Sequence, residues 1–168
     1  GMTRSVNQDN VYVCTSTLPR EETDTALGLF VVADGMGGHE GGEIASRLAV
    51  GALAHHVLAE LVLAALHDTV STSMQLLLTG AVKEANHAVW DYARAHNSDM
   101  GTTCTAAVIL GQTVVIGHVG DSRAYLVSRE RMQQLTSDHS AVGRLIEMGQ
   151  LEPSEAREHP LRSHLFRT

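Results

Sequence analysis

Four short clusters hold the side chains that could do chemistry: Arg4-Ser5-Val6-Asn7-Gln8-Asp9, Asp34-Gly35-Met36-Gly37-Gly38-His39, Gly120-Asp121-Ser122-Arg123 and Thr136-Ser137-Asp138-His139-Ser140. Asp34 and Asp121 each follow an apolar run, so their carboxylates are expected at strand ends. Carboxylates so placed suit hard cations, which prefer oxygen ligands and keep several waters. Glycines beside Asp34 let the backbone turn sharply and let its carbonyls approach a ligand. The same residues also read as caps and turns, because Asp-Gly is a common turn dipeptide. The spacing between Asp9, Asp34 and Asp121 is too long for periodicity to show that they converge. A nucleotide-binding glycine loop fails in detail: Gly35 and Gly37 fit GxGxxG, but position 40 is Glu.

The elements that must position these clusters follow from hydrophobic period. Asn10–Thr15 is rich in β-branched and aromatic residues and predicts a strand. Leu27–Ala33 is a near-continuous apolar run and predicts a buried strand. Pro19, Glu21, Glu22 and Asp24 make the loop between them. Gly41–Leu66 is Ala- and Leu-rich and predicts a helix. Met74, Leu77, Ala81, Ala85, Ala88, Val89 and Tyr92 recur at helical spacing and predict a second, antiparallel to the first. After Gly101 the pattern changes. Thr103–Leu110 and Thr113–Val119, joined at Gly111-Gln112, predict a hairpin. Ser122–Val127 and Met132–Leu135 predict two more strands. Ser140–Met148 predicts a short helix, and Pro153-Ser154-Glu155 the start of another. Segregated runs of strands and helices indicate an α+β fold with antiparallel sheet.

Composition narrows the function. Twelve basic residues against nineteen acidic ones give a net charge of −7 over 168 residues. Such a chain is a poor non-specific binder of nucleic acid, which requires Lys and Arg against phosphates. Lys83 is the single lysine, so a polybasic membrane patch is absent. Arg47, His55, His56 and Glu60 interrupt the longest apolar stretch, Ile44–Leu66, which does not read as a membrane span. Cys14 and Cys104 read as reduced core residues, and no signal peptide is visible, so a cytoplasmic protein is expected.

Taken together, RSVNQD, VVADGMGGHEGGEIAS, GTTCTAAVI, GHVGDSRAYL, LTSDHSAV and HPLRSHLFRT resemble, in order, the metal-dependent protein phosphatases of the PP2C (PPM) family, and bacterial members more than eukaryotic ones. The resemblance covers essentially the whole chain and implies one domain over residues 1–168. It implies a four-layer α-β-β-α sandwich of antiparallel sheets flanked by helix pairs, with a flap-like, more mobile segment at 141–165. It implies hydrolysis of phosphoserine and phosphothreonine by in-line attack of a hydroxide held between two Mg²⁺ or Mn²⁺ ions. Expected partners are phosphorylated proteins, the substrates of bacterial Ser/Thr kinases, with no nucleic acid and no membrane.

The roles implied are specific. Arg4 matches the arginine that holds the substrate phosphate, a task suited to its bidentate fork. Asp34 matches the carboxylate bridging two ions, and the Gly35 carbonyl a ligand of the second. Asp9 matches the carboxylate that holds metal-bound water, with Gln8 where many relatives have Glu. His39 matches the general acid, and Asp121 a ligand of a weaker third ion. Gly101, Thr102 and Thr103 are expected to pack beneath the site. Arg123, Asp138 and His139 are expected to be structural.

The chain departs from the family pattern at its end. Two further metal-binding aspartates of the family, in Asp-Gly and Asp-Asn blocks, have no counterpart before Thr168. At most one weakly bound ion, at Asp34 and Gly35, and little turnover are therefore expected. The alternative is a non-catalytic PP2C-like regulatory or binding module with an incomplete metal site.

Overall fold

The computed structural model describes residues 7–18, 24–37, 41–66, 73–162 and 164–166. Strands β1 (Asp9–Leu18) and β2 (Thr25–Gly37) are followed by helices α1 (Gly41–Leu66) and α2 (Met74–Ala95). Then come β3 (Met100–Thr102), β4 (Cys104–Leu110), β5 (Thr113–Val119), β6 (Tyr125–Val127), β7 (Met132–Gln134) and α3 (Ala141–Glu147). One sheet has the antiparallel order β1-β2-β4-β5, with β3 on β2; β6 and β7 form a separate two-stranded sheet. These are antiparallel sheets with helices against them, as an α+β chain of this pattern requires.

Alternation along β2 decides which face is covered. Leu27, Leu29, Val31 and Ala33 are buried, and so are Ala106 and Val108 on β4. They meet Ala45, Ala49, Leu53 and Val57 of α1 and Leu77, Leu78, Ala81, Ala85 and Val89 of α2 in one core. Helical spacing puts those residues on one stripe of each helix. On β5, Gly117 makes room for α2, because a Cβ there would lie 2.8 Å from Leu78 Cγ. The opposite face carries Val11, Val13, Phe30, Val32 and Val114, all exposed. The β6–β7 hairpin packs on none of the other described strands or helices.

Three expectations change. Asp34 to Gly37 is not a loop leaving a strand end: β2 runs on through it, and Gly35 pairs with Thr102, Met36 with Gly101 and Gly37 with Met100. Three glycines read locally as a turn, but cross-strand pairing settles the outcome. The expected Thr103–Leu110 strand extends back to Met100 and is interrupted at Thr103. Pro153-Ser154-Glu155 forms turns and no helix. The helix expected at 140–148 is α3, capped by Ser140, whose Oγ accepts from the Gly143 N–H at 3.1 Å. The flap-like stretch is tied at its ends. The Ala141 N–H donates to the His164 carbonyl at 2.8 Å and the Phe166 N–H to the His139 carbonyl at 3.0 Å.

Candidate metal centre

Strand register builds the site. Asp9 stands directly opposite Asp34 across the β1–β2 pair. Val32 opposes Thr105, and Cys104 opposes Val119. Continuing these registers by one or two residues puts Asp9, Asp34, Thr103 and Gly120 on one rung across four strands, at the end of the exposed face. Directly opposed residues share a face, with Cβ atoms about 5 Å apart. Two like charges so placed repel, and a cation between them removes that cost.

The backbone around Asp34 is held closely. The Gly35 N–H donates to the Gln8 carbonyl at 3.1 Å. A Cβ on Gly35 would lie 2.0 Å from the Gly42 carbonyl oxygen, and one on Gly42 would lie 2.8 Å from Gln8 Cδ. Only glycine at both positions lets β2 cross the start of α1 this closely. The start of α1 thus packs on β2 from the Gly35 side, the face opposite the one to which the Asp34 side chain alternates. Gln8, which stands where many relatives have Glu, lies beside Gly35 and Gly42 and contributes no charge.

Asp121 reaches the same end of the sheet by another route. It follows Gly120, which has φ +108 and sits beyond β5. Two strand spacings, roughly 10 Å at about 4.8 Å each, separate Gly120 from Asp34 along the rung. Register thus brings Asp9 and Asp34 together, and Gly120, the residue before Asp121, lies two strands away. Among the described residues no group of three His, Cys, Asp or Glu side chains is close enough to hold one ion. Two carboxylates and a nearby backbone carbonyl fit part of a Mg²⁺ or Mn²⁺ site, since Mg²⁺ takes one or two carboxylates plus water. They do not fit a complete binuclear one. Arg4 and His39 lie outside the described residues.

Arg123, Asp138 and His139, expected to be structural, all make hydrogen bonds within the fold. Arg123 makes a bidentate pair with Asp138, Nε to Oδ1 at 2.8 Å and Nη2 to Oδ2 at 2.7 Å. The bonds to Asp138, with a smaller share from Tyr125, hold the guanidinium pKa above its ordinary value. His139 Nδ1 accepts from the Gly120 N–H at 3.2 Å, and the His139 N–H donates to the Gly120 carbonyl at 2.7 Å. They fix the start of the Asp121 loop.

The hydroxyl groups of Ser122 and Thr105 lie beside the candidate site; the sequence placed Ser122 in a cluster without giving it a role and did not single out Thr105. Thr105 Oγ1 lies 2.9 Å from His118 Nδ1, and Ser122 Oγ 2.7 Å from Thr103 Oγ1. The only signal for Ser122 was its place next to Asp121. Cys14 and Arg20 stand at the Cys-x5-Arg spacing of cysteine-dependent phosphatases. The described part of that stretch, Cys14–Leu18, is strand paired with Thr25–Leu29 and not a phosphate-cradling loop; Arg20 lies outside the described residues.

The chain is similar to several known proteins. The chain is 34% identical over 169 residues to the serine/threonine protein phosphatase PstP of Mycobacterium tuberculosis, covering 99% of this chain and 29% of that one. It is 35% identical to the serine/threonine phosphatase stp of Listeria innocua, covering 99% of this chain and 62% of that one. The crystal structure of the M. tuberculosis phosphatase superposes with a TM-score of 0.75 at 32% identity, over 99% of this chain and 63% of its own. A PstP catalytic domain in complex with two manganese ions superposes with a TM-score of 0.71 at 33% identity, over 93% and 60%. The chain thus spans less than two thirds of these relatives. The family model of protein phosphatase 2C matches residues 3–159, nearly the whole chain, and the chain belongs to that family.

Proposed function

We propose that the chain serves a metal-dependent phosphatase site acting on phosphoserine and phosphothreonine in proteins, and that these residues supply one half of its metal centre. The observation carrying this reading is the Asp9–Asp34 rung with Gly35 beside it, held against the start of α1. Bound Mg²⁺ or Mn²⁺ lowers the pKa of water and withdraws charge from phosphoryl oxygens. Asp34 and the Gly35 carbonyl would hold the ion, and Asp9 would orient its water. Arg4 is proposed to clamp the phosphate, and His39 to protonate the leaving alkoxide. Asp121 is proposed to hold a separate, weaker ion. Substrates are proposed to be products of Ser/Thr protein kinases, in the cytoplasm. No described helix is long and apolar enough to cross a membrane.

A second reading rests on a specific observation. Among the described residues no third carboxylate or histidine completes a cluster with Asp9 and Asp34. That favours, for these 168 residues alone, a PP2C-like regulatory or binding module with weak or no turnover.

The test is calorimetric titration with Mn²⁺ alongside hydrolysis of p-nitrophenyl phosphate and a phosphothreonine peptide. At most one weak site, lost in Asp34→Ala, is expected. Slow Mn²⁺-dependent turnover, also lost in Asp34→Ala, supports the phosphatase reading; metal binding without turnover supports the module. Two tight sites with rapid turnover would overturn the half-centre.

A further inference from the structure

Asp34 and Asp121 lie two strands apart, and one buried side chain between them touches both the β2 backbone at Asp34 and the loop that carries Asp121. The Thr103 hydroxyl accepts a hydrogen bond from the Asp34 N–H at 2.9 Å. The same oxygen lies 2.7 Å from Ser122 Oγ, on the residue after Asp121. The Thr103 N–H donates to the Asp34 carbonyl at 2.9 Å, and the Thr102 hydroxyl donates to that carbonyl at 3.0 Å. Asp34 is therefore held through both flanking peptide groups by Thr102 and Thr103. The methyl side of Thr103 faces Gly120: a Cβ there would lie 2.6 Å from both Thr103 Cβ and Cγ2. Thr103 itself is 1% exposed.

We propose that Thr103 is a positioning residue that fixes the Asp34 carboxylate and the Asp121 loop relative to each other. The proposal rests on the reading of both aspartates as metal ligands. A hydroxyl has one donor and two acceptor sites. Here one acceptor site takes the Asp34 N–H, and a second bond joins Ser122. Both branches of the side chain are thereby engaged, the oxygen with Asp34 and Ser122, the carbon skeleton with Gly120. Loss of the oxygen leaves a part-buried N–H without that partner and uncouples the Ser122 hydroxyl. Metal affinity depends on such supporting contacts, because ligands displaced by a fraction of an ångström no longer match the ion.

The experiment compares Thr103→Val, Thr103→Ser and Ser122→Ala in the 168-residue chain. Amide hydrogen exchange at Asp34, measured in EDTA, needs no metal. Titration with Mn²⁺ then reads affinity. Thr103→Val is expected to speed exchange at Asp34 at least tenfold, with Leu29 and Val31 unchanged, and to weaken Mn²⁺ binding tenfold. Thr103→Ser is expected to keep both within about threefold. Should Thr103→Val fail to fold, Ser122→Ala carries the test, with exchange at Asp34 rising several-fold. Unchanged exchange in Ser122→Ala, or a serine variant as impaired as the valine one, overturns the proposal. If the unsubstituted chain binds no Mn²⁺ while Ser122→Ala still speeds exchange at Asp34, the positioning stands and the metal reading falls.

Discussion

The two faces of the five-stranded sheet are built from similar residue types and meet opposite environments. On one, Leu29, Val31 and Val108 are fully buried beneath α1 and α2. On the other, Val11 is 60% exposed, Val13 58% and Val32 44%. Val32 and Val31 are sequence neighbours, so composition cannot account for the difference; the pleat sends them to opposite sides. A contiguous apolar face is a surface made for contact. The acidic rung of Asp9 and Asp34 lies at the end of that open face. The candidate site is therefore bounded on one side by packed core and on the other by an exposed apolar face.

The sharpest test sets one face against the other. Leu29→Ala should cost about 2–5 kcal/mol of stability, as deletion of a fully buried leucine does. Val11→Ala should stay within about 0.5 kcal/mol. Chemical denaturation of both variants checks this. A loss at Val11 as large as at Leu29 would break the comparison and show that the open face is covered in solution.

A smaller effect comes from the thiol beneath the helices. Burial pushes the Cys104 pKa up to about 11 from 9.0. The neutral thiol is the form the fold favours. Its contribution to stability is full below about pH 9 and is lost as pH rises towards 11. At pH 8 the thiolate fraction is about a hundredfold below that of an unshifted thiol. Labelling with a disulfide reagent should modify Cys104 correspondingly slowly, and faster only when the chain unfolds. Rapid labelling in the native state would show that the covered face opens readily.

The smallest expected change is on the open face. Val32→Thr keeps shape and strand propensity while removing apolar surface. Melting temperature should hold within a few degrees, and binding of a hydrophobic dye should fall. A dye signal unchanged by Val32→Thr would place the accessible apolar surface elsewhere, for instance on the β6–β7 hairpin.

Much of the frame was legible because it depends on local period. α1 runs Gly41–Leu66 and β5 runs Thr113–Val119, the spans their apolar patterns predict. The α2 stripe predicted most of the residues that reach the core. The misreadings cluster where long-range pairing decides. Asp34-Gly35-Met36-Gly37 reads as a turn by composition and becomes strand because Met100–Thr102 lies alongside. Thr103 looks like one more β-branched residue in TCTAAVIL. Its side-chain bond to the Asp34 N–H, 69 positions away, has no local signature. The metal-binding roles came from resemblance, and the rung geometry supplies a physical reason for pairing Asp9 with Asp34.

The stitched ends of the stretch after Ser140 have a consequence for how such molecules diversify. The chain departs at Ala141 and returns at His164 side by side, joined by backbone bonds that ask nothing of side-chain identity. Everything between is an excursion from a single point. Within it Gly143 packs on Asp138 and Glu147 accepts from the Ser137 hydroxyl, so change is freest at the positions beyond those contacts. Selection can thus act on what the molecule recognises while leaving the machinery that would act on it in place.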